Sequence, residues 1–154
     1  MTLAALLVGG LGGWWAVGSF TGGYDFPSEI GGVGLTQTGD AQDLPAIRAT
    51  GMTGEVAIYG PPATPDYALV VLDLPKGTDP AIMWERFGMS FDPRTAVVPK
   101  DLPSTSRFRC GPNPAFDSGS MCLWMKGDYI YELDAPFSSA AEIKPTAYRL
   151  FLES

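Results

Sequence analysis

The sequence contains no histidine, and of its 154 residues only two are cysteine and ten are Lys or Arg. Without histidine, mechanisms that use imidazole as a base or metal ligand are excluded, among them the usual serine and cysteine triads. Two cysteines supply only half of a tetrahedral zinc shell, so a structural zinc site is excluded as well. Four Lys and six Arg, with no run of either, against 17 acidic residues give a net charge of -7. That balance leaves no electrostatic footprint for nucleic acid and no basic patch for anionic lipid. No cofactor is expected, since Gly31-Gly32-Val33-Gly34 lacks the Gly-Lys-Ser/Thr ending and the strand-to-helix setting of a phosphate loop.

Charge is missing altogether from Met1 to Phe20, a run of about twenty residues long enough to cross a bilayer core. Trp14 and Trp15 sit near its far end, where amphipathic rings favour the membrane interface, and its five glycines are commoner in membrane helices than in water-soluble ones. Residues 1–20 are therefore expected to be a transmembrane anchor or a signal segment. No basic n-region precedes the apolar run, which favours an uncleaved anchor, although Ala16-Val17-Gly18 offers the small residues a signal peptidase reads. Gly9 and Gly13 have the GxxxG spacing that packs paired membrane helices, an inexpensive match in so glycine-rich a segment. The first charges after the run are Asp25 and Glu29 and the first basic residue is Arg48, so the positive-inside rule puts the following domain outside.

Residues 21–29 are expected to be a linker that lifts a single domain, residues 30–154, off the membrane. Gly31 to Thr38 reads as an edge strand with glycine bends, and Ala46 to Ala49 as a helical turn too short to build on. Glu55 to Gly60 and Tyr67 to Leu74 are predicted strands joined by a proline-rich turn; the second is nearly all apolar and is expected to be the central, doubly buried strand. Asp79-Pro80 opens a short helix that ends at Gly88, with Met83 and Phe87 on one face and Trp84 placed to close over the sheet. A short strand is predicted at Thr95 to Val98. Ser104 to Cys110, Met121 to Lys126 and Tyr129 to Leu133 then form a meander, the last two joined by a type II′ turn at Gly127-Asp128. The C-terminal stretch is helical, with Ile143, Ala147, Leu150 and Phe151 on one stripe and a preferred start near Lys144, so that Pro145 falls in the first turn. The expected fold is α+β, a mostly antiparallel sheet with two helices on one face.

Cys110 and Cys122 flank a loop of turn residues between β-forming segments. That loop and the apolar N-terminal run favour a disulfide-stapled hairpin over free thiols, and disulfides persist in oxidising compartments. Closing such a loop stabilises the fold by roughly 3 kcal/mol in the chain-entropy model. Trp124, Tyr129 and Tyr131 have two readings: a core tryptophan packed on the bridge, or an exposed aromatic patch suited to binding. Carboxylate pairs are the main catalytic chemistry left, with Asp66, Asp73, Glu85, Asp92, Asp117, Asp128, Glu132 and Asp134 as candidates and no pair distinguished by spacing. Calcium at Asp128, Glu132 and Asp134 lacks the EF-hand loop pattern, and an alternating strand face accounts for those residues.

The order apolar anchor, Pro27-Ser28-Glu29-Ile30-Gly31-Gly32, Ala57-Ile58-Tyr59-Gly60, Cys110-Gly111 and Cys122-Leu123-Trp124 resembles a group of uncharacterised membrane-anchored proteins of actinobacteria. The resemblance spans nearly the whole chain and implies an extracytoplasmic domain, with no catalytic residues to carry over. It departs from that group two places after the tryptophan, where an acidic residue is common and this chain has Lys126. The expected function is a membrane-tethered extracytoplasmic domain with a binding or accessory role at the cell envelope, its partners the membrane through residues 1–20 and an envelope protein. The alternative is a small secreted carboxylate-dependent hydrolase.

Overall fold

The structure is a computed structural model that describes residues 23–88, 98–102, 107–113 and 118–154, the side chains of residues 46 and 86–88 excepted. The anchor or signal segment and the strand predicted at Thr95 to Val98 lie outside the described residues, save Val98 itself. Among the described residues no helix is long and apolar enough to cross a membrane.

The domain is α+β, built on a curled antiparallel sheet with seven strands among the described residues: β1 (Glu29–Ile30), β2 (Val33–Asp40), β3 (Gly54–Tyr59), β4 (Tyr67–Asp73), β5 (Phe108–Pro112), β6 (Ser120–Lys126) and β7 (Tyr129–Ala135). Their spatial order is β1-β2-β3-β4-β7-β6-β5. β4 is central, as its unbroken apolar run requires: Ala68 to Leu72 are all buried, so neither face of this strand meets water. β3 and β4 form the predicted hairpin in register Tyr59 with Tyr67, and β5, β6 and β7 form the predicted meander. Gly127, with φ 58°, takes the left-handed position of the β6–β7 turn while Asp128 does not, as a type II′ turn requires. β2 extends two residues beyond the expected strand and is covered at its outer edge by the two-residue β1, the glycines Gly31 and Gly32 making the turn between them.

Among the described residues three helices accompany the sheet: α1 (Pro45–Arg48), a single turn after a 3-10 turn at Ala41–Asp43, α2 (Pro80–Gly88) and α3 (Ala140–Glu153). The two longer helices do not share a face. Met83 and Trp84 of α2, with Ala41, Leu44 and Ile47 of the short turns, pack on the side formed by Val56, Val70, Leu72, Leu123 and Ile130. α3 packs its Ile143, Ala147 and Leu150 on the opposite side, in the buried layer that also holds Tyr59, Leu69, Trp124, Leu133 and the two cysteines. The expectation of two helices on one face is thus corrected. The strands of the middle of the sheet are apolar at consecutive positions, and both faces need cover.

α3 also begins earlier than expected. Ser139 Oγ accepts from the amide of Glu142 at 3.3 Å, and Glu142 Oε2 accepts from the amide of Ser139 at 2.6 Å. This capping box fixes the start at Ala140 and leaves Pro145 inside the helix. α2 starts as predicted, with Asp79 Oδ1 accepting from Ala81 N at 2.8 Å.

Gly54 is required by the sheet itself, because a Cβ there would overlap the Val71 carbonyl oxygen and come within 2.8 Å of Leu72 Cα. Both are backbone atoms of the central strand and cannot rotate away. Gly54→Ala is expected to destabilise the domain by about 1–3 kcal/mol, measurable as a lower urea midpoint at unchanged slope.

Candidate functional site

Two places in this fold hold chemistry beyond ordinary packing. The first is the aromatic end of the sheet where the chain enters the domain. Tyr24 to Ser28, expected to be part of a linker, is instead a strap laid on the sheet. The Tyr24 amide donates to Glu55 Oε2 at 2.8 Å, the buried Tyr59 hydroxyl donates to the Pro27 carbonyl at 2.9 Å, and the Leu35 amide donates to the Ser28 carbonyl at 2.8 Å. The Tyr24 ring meets Phe26, Tyr129 and Tyr131 edge-on, with centroids 4.8, 6.3 and 6.0 Å away. Burial raises the Tyr24 and Tyr59 phenols well above the usual range, so both hydroxyls stay protonated and remain donors.

Of the predicted patch, only Tyr129 reaches solvent, with 40% of its surface exposed, while Trp124 and Tyr131 are buried at 0% and 4%. The three are neighbours but do not form one exposed surface. Trp124 stacks on Tyr131 with centroids 5.2 Å apart and planes 4° from parallel, and on Phe108 at 5.9 Å on its other side. Cys110 and Cys122, directly opposite each other on β5 and β6, are joined by a disulfide in the same buried layer. The core reading of the tryptophan is the one the structure adopts. Its indole Nε1–H nevertheless has no hydrogen-bond acceptor among the described residues.

A cleft of about 500 Å³ lies between the strap and the end of α3, lined by Asp25, Ser28, Leu150, Glu153 and Ser154, with the buried Trp124, Tyr131 and Leu69 beneath it. Lys126, the departure noted in the sequence, holds the end of that helix. Its Nζ donates to the carbonyls of Phe151 and Leu152 at 2.8 and 3.4 Å and lies 5.4 Å from the Phe151 ring centre. A cation at a helix C-terminus satisfies carbonyls that have no partner within the helix. An acidic residue at this position would instead repel them.

The second place is a pair of buried carboxyl groups. Glu132 and Asp134 alternate with Tyr131, Leu133 and Ala135 along β7, so they lie on the other face, in line with Ile130 and opposite Leu123 and Met121 of β6. Each is 1% exposed. Asp134 Oδ1 accepts from Asn113 Nδ2 at 3.0 Å, whereas Asp134 Oδ2 and both Glu132 oxygens have no hydrogen-bond partner among the described residues. Burial raises Glu132 well above the usual carboxyl range, and the neighbouring Asp134 charge adds to the rise. Asp134 is pushed up to about 7 by burial, partly offset by the adjacent Glu132 carboxyl and by the amide of Asn113. Two carboxyl groups enclosed by hydrocarbon are most stable with protons on them.

Of the eight carboxylates singled out by sequence, these two are the pair the fold encloses in the core, while Asp73 and Asp128 both line a cleft at one end of the sheet. Asp66 precedes β4 at one end of the sheet and Asp73 and Asp128 lie at the other; Glu85 is on α2; Asp92 and Asp117 lie outside the described residues. Among the described residues no group of three or more Cys, Asp or Glu side chains is placed to hold a metal. Asn113 and the strap went unnoticed in the sequence, the first in a loop of turn residues and the second in a stretch whose glycines, proline and serine read as a linker.

Comparison of the chain with protein families, curated proteins and solved structures finds no match.

Proposed function

We propose that this chain is a membrane-tethered domain on the extracytoplasmic side of the cell envelope, and that it binds a partner or ligand there instead of converting one. The observation that carries this reading is the strap: Tyr24, only four residues beyond the end of the uncharged run, is already bonded and packed onto the sheet. Four residues reach at most roughly 14 Å, so a domain anchored through residues 1–20 stays against the bilayer it is tied to. The Cys110–Cys122 bridge supports an oxidising location. The resemblance to membrane-anchored actinobacterial proteins points the same way. A net charge of -7 with scattered basic residues favours an envelope partner over nucleic acid.

Mass measurement of the N-terminus of the mature protein tests the tether. The expected result is a membrane-bound chain that retains residues 1–20; a chain beginning at Ser19 and found in the medium would overturn it.

The buried pair favours a second reading, a carboxylate-dependent hydrolase, because raised and interacting carboxyl groups are the means by which such enzymes make an acid and a base. Against it stands the 1% exposure of both groups, since a glycosidase pair must flank the bond it cleaves. The purified protein is expected to turn over no member of a panel of chromogenic glycosides. Turnover that disappears in Glu132→Gln or Asp134→Asn would replace the binding reading with this one.

A further inference from the structure

We propose that Glu132 and Asp134 share a single proton, carried by Glu132 and donated to Asp134, and that this hydrogen bond is a proton-operated fastener for the middle of the sheet, closed while the proton is held and released when it leaves.

The placement of the two groups leaves few other ways to satisfy them. Two residues apart on β7, they project from one face of the sheet, each 1% exposed, and their carboxyl groups lie within hydrogen-bonding reach of each other. Ionised carboxylates only accept hydrogen bonds. With both ionised, Asp134 Oδ2 and both Glu132 oxygens have no donor among the described residues. A proton on one group makes it a donor to the other, so a single proton pairs an oxygen on each side. Asn113 decides which group carries it. Its Nδ2 donates to Asp134 Oδ1 at 3.0 Å, and a donor there favours negative charge on Asp134 and leaves the proton to Glu132. Asn113 is itself 1% exposed and its backbone amide donates to the Gly119 carbonyl at 3.0 Å, so this donor is held in place.

The neighbouring strands add hydrocarbon: β4 sets Val70 and Ala68 opposite the two residues, and β6 sets Leu123 and Met121 there. Charged residues on the same side stand outside this enclosure. Arg107 and Arg109 lie beyond β6, the second with its guanidinium 5.7 Å from the centre of the Trp84 ring, and Glu85 of α2, Asp43 and Arg48 of the short turns, and Asp66 and Asp128 at the strand ends are all exposed. Burial first and the Asp134 charge second hold Glu132 well above the usual carboxyl range. Protons therefore leave in two steps that belong to the pair, Asp134 first and Glu132 second. After the first step the Glu132 hydroxyl and the Asn113 amide both donate to the Asp134 carboxylate. After the second, two like charges face each other in hydrocarbon, and the sheet accommodates them only by admitting water beside β7.

The test is an NMR titration of the carbon-13-labelled side-chain carboxyl groups in the full chain, kept in nonionic detergent. Asp134 is expected to release its proton first, with Glu132 still protonated at about pH 7. A Glu132 already ionised at that pH, or an Asp134 that holds its proton longer than Glu132, would overturn the assignment. Asp134→Asn keeps the shape and removes the charge, and in it Glu132 is expected to bind its proton about tenfold more weakly, the effect of one hydrogen bond to a charged group. An unchanged Glu132 titration in this variant would mean that burial alone raises the group and that no proton is shared. The fastener is read from hydrogen exchange of the β6 and β7 amides, corrected for the intrinsic pH dependence of exchange. Protection in the wild type is expected to fall about tenfold as the last proton leaves, and to stay level in Glu132→Gln, whose amide donates to Asp134 at every pH. Level protection in the wild type, or the same fall in both proteins, would overturn the fastener. The wild-type titration and exchange involve no substitution, so both parts of the proposal stay open to contradiction if a variant does not fold.

Discussion

Raising the pH from about 4 to about 7 is expected to destabilise this domain, the reverse of ordinary acid denaturation. Asp134 has a carboxyl pKa near 3.8 when unfolded and about 7 when folded, so between those values the folded chain holds a proton that the unfolded chain has released. Stability falls with rising pH wherever the folded state binds more protons. The contribution is therefore fully present below the unfolded value and is lost as pH rises to the folded one. Each unit by which a carboxyl pKa is raised on folding corresponds to about 1.4 kcal/mol of such stability. Glu132 is raised well above its usual range for the same reason, burial first and the Asp134 charge second, and acts in the same direction. Glu142, held below its usual range by the Ser139 amide, acts in the opposite sense from an exposed position where solvent screens it. Thermal unfolding across this range should show Tm decreasing toward neutral pH. In the double variant Glu132→Gln, Asp134→Asn most of that slope should disappear. A wild-type Tm that is flat or increasing from pH 4 to 7 would mean that the two carboxyl groups are not enclosed as described.

Trp124→Ala is expected to cost about 3–5 kcal/mol, the range for removing a large buried aromatic side chain. The ring is fully buried, stacked on Tyr131 and Phe108, and packed in the layer that holds the disulfide and the inner stripe of α3. Trp124→Phe retains an aromatic ring and removes an N–H that has no acceptor among the described residues, so it should cost far less. Urea denaturation of the two variants separates the core reading from the patch reading. A loss below about 1 kcal/mol for Trp124→Ala would return the tryptophan to the surface.

Local signals in the sequence were sufficient for much of this fold. Gly127-Asp128 specifies its turn, Asp79-Pro80 specifies the start of α2, and the proline-bounded apolar run Tyr67 to Leu74 specifies a central strand, each through chemistry confined to a few neighbouring residues. What depended on distant partners was not legible. The stripe of Ile143, Ala147 and Leu150 shows that α3 has an apolar side, but which face of the sheet it covers follows from where β6 and β7 pair, not from α3 itself. The capping box at Ser139 and Glu142 was present in the sequence, and the presence of Pro145 outweighed it; the two caps stabilise the first turn enough for the helix to continue through the proline. Ala41, Leu44 and Ile47 recur at intervals of three over too short a span to declare a helix, yet all three are core residues.

The candidate site was less legible than the fold. Glu132 and Asp134 alternate with apolar residues, a pattern that ordinarily marks a face turned to water. The contrary signal was Ile130, which lies in phase with them and is buried on the same side. Tyr24 and Phe26, two aromatic residues in what reads as a linker, were the corresponding signal for the strap. Trp124 and Tyr131 could not be assigned to core or surface from periodicity, because the cover over them comes from α3 and from the strap, at opposite ends of the domain sequence.

The central claim is that the domain sits outside the membrane, tethered to it, with its hairpin bridged. It is tested most directly by differential alkylation of the protein taken from washed membranes of its native host without reductant. The account predicts that Cys110 and Cys122 resist alkylation in the membrane fraction and that both become labelled after reduction; two free thiols, or a protein recovered in the soluble cytoplasmic fraction, would contradict it.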